Sequence, residues 1–438
     1  MAPAPTSGAG LPAALSGLTT RGRAFLAAGA AAAACAVILG QRDLLRVAVL
    51  LVALPLASVL VVARARHRIQ LSRTVTPTRV QAGRQASVRL ELANLSRLPT
   101  GVLLAEDHVP YVLGARPRFV VDRLAGGARA AVGYTLRSEH RGRWEVGPLQ
   151  LRITDPFGMC EVARSFTATD PLVVVPRVHP LLPLLAQGSW MGSGDSTART
   201  AAASGEHDLA TREYRHGDDL RRVHWRSTAR RGELMVRRDE QPHQMRATVL
   251  LDKRTVGHRG DGPASSFEWA VSATASVCAL LVESGYGVRI LSDEVDTTWT
   301  GREHATGSGE LLDQLAMVDT GGPTELRDAT AQLMRAGGDG LVVALLGEVT
   351  PADAHLLATL PRRGVTGVAI LLDTTTWAAL PRRRAAEIAS NRQQAERTLD
   401  HAGWTVVTAT AREPVPAAWA RVVSRAAVLS GGAKTARR

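Results

Sequence analysis

Two uncharged apolar runs, Ala24–Gly40 and Val47–Ala63, constrain the fold of this chain more than any other feature. Each is about as long as the shortest helix that can cross the hydrocarbon core of a bilayer. The short segment 41–46 between them leaves room only for a tight turn. The sequence therefore predicts a transmembrane helical hairpin over residues 21–66. The preceding residues 1–20 are rich in Ala, Pro, Gly and Ser, which predicts a disordered tail.

Arginines flank this hairpin at both of its outer ends, at positions 21, 23, 64, 66, 68 and 73. The turn between the runs carries Arg42 and Arg46 together with Asp43. Because basic residues are retained on the cytoplasmic side, the bias predicts a multi-pass protein of the cell membrane with cytoplasmic soluble domains. A cleaved signal peptide is the alternative, since Ala33-Ala34-Cys35 resembles a lipoprotein cleavage site. The apolar run continues past Cys35, however, and a second run follows directly.

The formal net charge of +13 does not by itself indicate nucleic-acid binding. Lys253 and Lys434 are the only lysines, and the arginines are scattered with acidic residues beside most of them. A nucleic-acid site would concentrate basic residues on one surface, so we expect no nucleic-acid partner. The three cysteines have no paired spacing and are predicted to be small buried apolar residues, which excludes a disulfide framework or zinc site.

Residues 69–178 have the alternation and turn spacing of short antiparallel strands. The clearest strand is 85–94, where apolar and polar residues alternate. Further strands are predicted at 118–121, 130–136, 149–153 and 172–175. Short strands at this spacing predict an immunoglobulin-like β-sandwich. The following residues 186–206 are rich in Gly, Ser, Ala and Thr and predict a flexible linker.

Residues 246–430 alternate apolar strands with helical segments, which predicts a doubly wound α/β domain. Strands are predicted at 247–252, 287–292, 340–347, 367–373 and 404–408, and helices at 267–284, 311–317, 325–336, 386–402 and 416–429. The strands at 340–347 and 367–373 are continuously apolar. We therefore expect helices to cover both faces of the sheet.

The segment 207–245, between linker and α/β domain, combines charge, aromatic rings and turn residues. Gly217-Asp218-Asp219 predicts a turn. The arginines that follow are spaced about one helical turn apart around Trp225, which predicts a basic helix surface with one aromatic anchor. Arginines can also stack on this indole and pair with Glu213 and the two aspartates.

This segment resembles the signature of the DUF58 family, bacterial membrane proteins that are often paired with MoxR-type AAA+ ATPases. The matching residues are Glu213-Tyr214-Arg215, Gly217-Asp218-Asp219, Arg221-Arg222, His224-Trp225, Thr228-Ala229-Arg230 and Gly232-Glu233-Leu234. A second set lies upstream at Arg141-Gly142-Arg143-Trp144, Gly147-Pro148-Leu149 and Asp155-Pro156-Phe157-Gly158. We expect the last of these motifs to form a turn, with Asp155 as its cap and Phe157 filling an apolar gap.

The resemblance implies that the α/β domain is similar to von Willebrand factor A domains. In those domains the first strand ends in Asp-x-Ser-x-Ser and holds a divalent cation. This chain reads Asp252-Lys253-Arg254-Thr255-Val256, and Glu348 follows the strand at 340–347. Positive side chains at 253 and 254 oppose a metal, so Asp252 is predicted to pair with Arg254 or an arginine of the signature. We expect no metal and no other cofactor, with Asp252 as the remaining metal-ligand candidate.

The sequence favours a binding module over an enzyme, because none of the common catalytic motifs occurs in a supporting context. We expect a membrane-anchored adaptor that docks a partner, which the resemblance implies is a MoxR-type ATPase acting in assembly or maturation of envelope proteins. The residues expected to bind the partner or lock the segment onto its domain are Tyr214, Arg215, Asp218, Asp219, Arg221, Arg222, Trp225 and Arg230. The alternative is a phosphate- or nucleotide-handling enzyme that uses the arginines, aspartates and His224 of this segment.

Overall fold

A computed structural model gives the fold of two compact units, Met1–Val175 and Pro176–Arg438. It describes residues 17–64, 69–97, 99–155, 157–183, 211–214, 223, 225–237, 246–292, 295–299, 307–321, 326–335, 340–360 and 365–435. The predicted linker 186–206 and most of the predicted tail lie outside the described residues.

The N-terminal apolar runs form two helices, α1 (Thr20–Leu39) and α2 (Arg42–Arg64). Gly40 ends α1 in the left-handed conformation, at φ 66°, which allows the chain to reverse before Arg42. Gly29 lets the two helices approach closely, since a Cβ there would lie 2.6 Å from Val52. Both helices are long and apolar enough to cross a membrane.

The described residues of this unit after α2 form short strands that pair in three sheets. The strands are β1 (Ile69–Thr76), β2 (Arg79–Gln81), β3 (Gln85–Asn94), β4 (Leu103–Asp107), β5 (Arg118–Val121), β6 (Arg129–Arg137), β7 (Gly142–Val146), β8 (Leu149–Thr154), β9 (Glu161–Phe166) and β10 (Asp170–Val175). Their orders are β1-β3-β6, β2-β10-β7 and β5-β4-β8-β9. All pairings are antiparallel except that of β10 with β2. Alternate residues of β3 and β8 are buried in one shared apolar core, which confirms the predicted alternation.

A buried ion pair crosses this core between β1 and the end of β4. Arg73 donates two hydrogen bonds to Asp107, at 3.1 and 2.7 Å, and one to Asp170 at 3.1 Å. Tyr134 donates to the same Asp107 carboxylate at 2.6 Å. Burial, together with this hydrogen bond, raises the pKa of Tyr134, so the phenol stays protonated. Gly147, from one of the upstream motifs, leaves room for this network, because a Cβ there would lie 2.8 Å from the Arg73 guanidinium.

Two predictions about single side chains in this unit are wrong. Phe157 does not fill an apolar gap, since its side chain is 59% exposed. Cys35 is exposed on α1 instead of being buried, whereas Cys160 and Cys278 are buried as predicted. The Asp155 cap of the Phe157 turn is confirmed by hydrogen bonds from the backbone N–H groups of Phe157 and Cys160.

The C-terminal unit contains a six-stranded sheet with helices on both faces. Its described elements are β11 (Thr211–Glu213), α3 (Trp225–Arg231), β12 (Met235–Arg237), β13 (Arg246–Leu251), α4 (Ser266–Glu283), β14 (Gly287–Ser292), β15 (Val295–Trp299), α5 (Gly307–Met317), α6 (Arg327–Arg335), β16 (Gly340–Leu346), α7 (Pro351–Leu357), β17 (Val365–Leu372), α8 (Arg382–His401), β18 (Thr405–Ala409) and α9 (Val415–Thr435). The sheet order is β15-β14-β13-β16-β17-β18.

Successive residues of the central strands enter two different apolar cores, which confirms that helices cover both faces. In β13, Val249 and Leu251 pack with α4, whereas Leu250 packs on the opposite face with α6 and α7. Helix α4 is apolar enough in composition to span a membrane, but two thirds of it is buried within this unit. Its apolar character is explained by its place in the core.

The observed sheet differs from the predicted one at one edge. Strand β15 pairs antiparallel with β14, whereas the remaining pairs of this sheet are parallel. The prediction missed β15 because its polar residues, Asp296 to Thr298, lack an apolar pattern. Edge strands of doubly wound sheets are often antiparallel and half solvated, so their apolar signal is weak.

Candidate functional site

The signature segment folds locally as a strand pair that holds a short helix. Strands β11 and β12 pair antiparallel, and the backbone N–H of Tyr214 extends the pairing to the carbonyl of Leu234 at 2.8 Å. The hydroxyl of Thr228 in α3 accepts the N–H of Met235 at 3.0 Å, which ties the helix to β12. Met235 is fully buried. This segment is therefore a small folded element of its own.

Trp225 is the first residue of α3 and leaves 70% of its side chain exposed. Arg230 on the same helix is also exposed, and Tyr214 is half-buried. An exposed indole of this size is unusual for a side chain with no binding role, because tryptophan is generally well buried. The other predicted site residues, Arg215, Asp218, Asp219, Arg221 and Arg222, lie outside the described residues.

A second cluster of charged side chains lies at the carboxyl edge of the parallel sheet, where β13 ends. Asp252 and Arg254 are both buried and form a two-pronged ion pair, with Nε and Nη2 of Arg254 each 2.9 Å from a carboxylate oxygen. The backbone N–H groups of Arg254 and Gly347 donate to the same carboxylate at 3.1 Å. Asp252 therefore pairs with Arg254, the first of the two partners that the sequence predicts.

The Arg254 guanidinium also joins β13 to the elements after β16. Its Nη1 lies 3.1 Å from Asp353, and its Nη2 donates to the backbone carbonyl of Glu348 at 3.0 Å. Burial opposes the charge, but the hydrogen bonds and charges of Asp252 and Asp353 outweigh it and raise the pKa of Arg254. The guanidinium is a permanent buried cation with two carboxylate partners.

Asp252 is the metal-ligand candidate from the sequence, but a divalent metal does not fit the residues around it. Four N–H donors already fill the Asp252 carboxylate, and the Arg254 guanidinium stands where a cation would have to lie. The Glu348 carboxylate points to arginines as well, at 2.8 Å from Arg259 and 3.0 Å from Arg384. The positive charge of Arg254 compensates the buried carboxylates at this edge of the sheet.

His258 completes the buried network through its two ring nitrogens. Its Nε2 lies 2.6 Å from the backbone carbonyl of Asp252, and its Nδ1 lies 3.2 Å from the hydroxyl of Ser266. Because the carbonyl can only accept, Nε2 carries the proton of the neutral ring. Burial lowers the pKa of His258, and the positive charges of Arg254 and Arg259 add to this effect, against the opposing influence of Asp252. The imidazole is therefore neutral at pH 7.

We expect His258 to make the C-terminal unit less stable as the pH falls below 6.5. The unfolded imidazole takes up a proton near that pH, whereas the folded one resists it, so acid favours the unfolded state. The slope contributed by this group reaches at most about 1.4 kcal/mol per pH unit. Urea unfolding of wild type and His258→Gln at pH 7.5 and 5.5 checks this. Equal losses of stability in the two proteins would contradict the assignment.

A cavity of ≈ 410 Å³ lies at the outer edge of β18, away from the Asp252–Arg254 pair. Arg421 and Arg425 from α9 reach it and donate to the carbonyls of Thr408 and Val406, at 2.5 and 3.0 Å. Both guanidinium groups also pair with carboxylates, of Glu413 and Asp400. This cavity belongs to a capped sheet edge, a protection against pairing with other chains.

One family model covers the signature element and every strand of the six-stranded sheet except β18. Residues 210–401 match the model of a family of proteins of unknown function, DUF58. The chain contains a DUF58 domain. This domain includes the Trp225 helix and the Asp252–Arg254 pair, whereas the upstream motifs lie outside the matched residues.

Comparison with individual proteins adds little to the DUF58 assignment. The chain is 23% identical over 236 residues to the uncharacterized protein YeaD of Bacillus subtilis, a match that covers 51% of this chain and 55% of that protein. The chain thus spans about half the length of this relative.

The solved structures that resemble part of this chain have low TM-scores. A CARDB domain from Pyrococcus furiosus is 13% identical at a TM-score of 0.20, covering 25% of this chain and 89% of that one. The putative ApaA protein of Bordetella pertussis is 12% identical at a TM-score of 0.20, covering 25% and 94%. TM-scores this low do not assign a fold.

Sequence reasoning found Asp252 and Arg254 but missed Asp353 and His258. Asp353 has a local signal, because Thr350-Pro351-Ala352-Asp353 has the pattern of a helix cap, and the Thr350–Asp353 capping box is present. Its pairing with Arg254 has no such signal, since 99 residues separate the two. His258 stands in an irregular loop whose partners only the fold brings together.

Proposed function

We propose that this protein is a membrane-anchored adaptor whose cytoplasmic DUF58 domain docks a MoxR-type AAA+ ATPase. The observation that carries the proposal is the exposed indole of Trp225, presented at the start of α3 on a folded element of the DUF58 domain. Exposed tryptophans and arginines are the residue types that dominate the energetics of protein interfaces. Arg230, exposed on the same helix, adds charge beside the indole.

Two further features support an adaptor over an enzyme. The buried charges at the carboxyl edge of the sheet are paired with one another. Asp252 and Asp353 both bind Arg254, so these carboxylates are not directed toward a substrate. Helices α1 and α2 have the length and composition of a membrane anchor. In this proposal the DUF58 domain has a von Willebrand factor A-like role in binding, and the buried Arg254 holds the carboxyl edge of the sheet together through Asp252 and Asp353.

The test is affinity purification of the detergent-solubilised protein, followed by mass spectrometry of the bound proteins. Wild type is expected to retain an AAA+ ATPase that the Asp219→Ala, Trp225→Ala double variant loses, because truncation removes the aromatic anchor and a carboxylate of the same sequence signature. Tyr111→Ala is the matched control, since it removes an even more exposed aromatic ring, at 92%, from the N-terminal unit. It should leave the ATPase bound.

A single His224→Ala variant separates docking from catalysis. A docking surface should depend on Trp225 more than on His224, whereas the alternative enzyme would depend on the imidazole. The adaptor proposal fails if wild type enriches no ATPase, or if the folded double variant retains it. Circular dichroism and gel filtration of each variant establish that it is folded.

A further inference from the structure

The turn after β8, around residues 155–160, is fixed by several hydrogen bonds. Asp155 is buried and accepts the backbone N–H of Cys160 at 2.6 Å and of Phe157 at 3.0 Å. Gly158 holds a left-handed conformation at φ 69° and donates its N–H to the Asp155 carbonyl. The turn presents the ring of Phe157 to the outside, since this residue is more than half exposed.

The same turn is joined to the start of α1. The N–H of Thr19 donates to the carbonyl of Met159 at 3.0 Å, and its hydroxyl donates to the carbonyl of Gly158 at 2.7 Å. Gly22, in the first turn of α1, is packed so closely that a Cβ would lie 2.5 Å from the Met159 carbonyl. The turn therefore lies at the level of the residues where α1 begins.

Helix α2 contacts this turn near its own far end. Val59 is buried against Cys160, with Leu18 packed beside them. Because α1 starts here and α2 finishes here, both ends of the hairpin meet the N-terminal unit around residues 155–160. Arg21 also lies at this level, since a Cβ on Gly158 would be 3.7 Å from its guanidinium.

Other exposed apolar side chains lie at the same end of the sheets. Leu95 follows Asn94, which pairs with Ile69, the first strand residue after α2. The carbonyl of Val102 accepts the N–H of Thr154, at the end of β8. Leu95 and Val102 both leave half or more of their side chains exposed. Three loops thus present apolar tips on the side of the unit from which the hairpin emerges.

We propose that this end of the N-terminal unit rests on the surface of the bilayer, with the ring of Phe157 inserted among the lipid headgroups. The proposal rests on the membrane anchoring of the proposed function and adds a second lipid contact to it. The apolar run of α1 starts just after Arg23, so a ring held at the level of Arg21 lies at the membrane interface. Exposed Arg21 and Arg23 favour an anionic lipid surface.

A lipid surface fits this patch better than a protein partner does. The apolar tips come from separate loops and are spread around the exit of the hairpin, where the bilayer already lies if α1 and α2 span it. Aromatic and aliphatic side chains beside arginines are the composition of interfacial membrane contacts. A rigid turn suits this role because it fixes the depth of the ring relative to the helices.

The test measures membrane depth in the full chain, reconstituted into phosphatidylcholine vesicles that contain phosphatidylglycerol. A polarity-sensitive maleimide fluorophore is attached at Phe157→Cys in a Cys35→Ala background, and lipids with nitroxides near the headgroup or deep in the chains act as quenchers. Burial raises the pKa of the Cys160 and Cys278 thiols, which keeps both cysteines unreactive. Val102→Cys in the same background is a second probe of the patch.

The matched control is Tyr111→Cys in the Cys35→Ala background, which replaces an exposed aromatic at the opposite end of β4. We expect headgroup nitroxides to reduce the fluorescence at positions 157 and 102 and to leave position 111 unchanged. The label on native Cys35, exposed on α1, should respond to the deep nitroxides.

Two negative outcomes have different meanings. If Cys35 is quenched but positions 157 and 102 behave like position 111, the bilayer contact of the N-terminal unit is refuted while the anchor stands. If Cys35 itself is not quenched, the membrane anchoring of the proposed function fails, and the inference fails with it.

Discussion

Replacing Arg254 with methionine should lower the free energy of unfolding of the C-terminal unit by about 3–5 kcal/mol. The substitution keeps the unbranched apolar stem of the side chain but leaves the carboxylates of Asp252 and Asp353 buried without their cation. Each carboxylate would keep hydrogen bonds, from backbone N–H groups to Asp252 and from Thr350 to Asp353, but would lose the positive charge that compensates for its burial. The loss is large against the 5–15 kcal/mol that holds a typical domain together.

Hydrogen exchange with increasing urea can follow this loss within the unit, through peptides that cover β13 and β16. Arg384→Met is the matched control, because that guanidinium is partly exposed and its partner Glu348 would keep its ion pair with Arg259. We expect it to cost no more than about 1 kcal/mol. Adding Asp252→Asn to Arg254→Met should recover part of the loss, since it removes one unpaired charge. Equal effects of Arg254→Met and Arg384→Met would refute the buried-cation assignment.

The second large effect is expected in the N-terminal unit, where Arg73→Met should cost about 3–5 kcal/mol. Arg73 and Asp107 are both buried, and of the described hydrogen bonds to this carboxylate the one from Tyr134 would remain. Exchange in peptides from β3 and β8 measures the loss. Because the structure has two compact units, the peptides of β13 and β16 should be unaffected and serve as an internal reference.

Arg118→Met is the control for Arg73. It breaks the Arg118–Glu106 pair, which lies on the exposed side of β4 and β5, and should change stability by less than about 1 kcal/mol. The assignment would be wrong if Arg73→Met left exchange in β3 and β8 unchanged. A uniform loss across both units would also contradict it, since the pair stabilises only one of them.

Most secondary structure could be predicted because its signals are local. The strand at 287–292 and the strand at 118–121 were predicted at their observed bounds, from short apolar patterns set between turn residues. Strands β1 and β4 were missed although they have partial alternation. Strand β7 was hidden by its motif of arginine, glycine and tryptophan, which has no period of two.

The site was predicted only in part because its contacts are distant in sequence. Asp252 and Arg254 are two residues apart, so their pairing could be anticipated from charge alone. The third member, Asp353, reaches them because β13 and β16 are neighbours in the sheet and their carboxyl ends meet. For the signature segment, the sequence predicts a binding surface, and its described part adds that Trp225 is exposed.

The sequence alone determined the apolar helical hairpin, the alternating strands of the N-terminal unit and the strand–helix alternation of the C-terminal unit. Each of these is a local pattern of apolar and polar residues, which indicates directly which side chains of a helix or strand are buried. Tertiary structure decided that Arg254 pairs with both Asp252 and Asp353 and that Phe157 faces outward beside the hairpin. Both depend on where distant segments come together, because burial and charge compensation are properties of the assembled fold and not of any short segment.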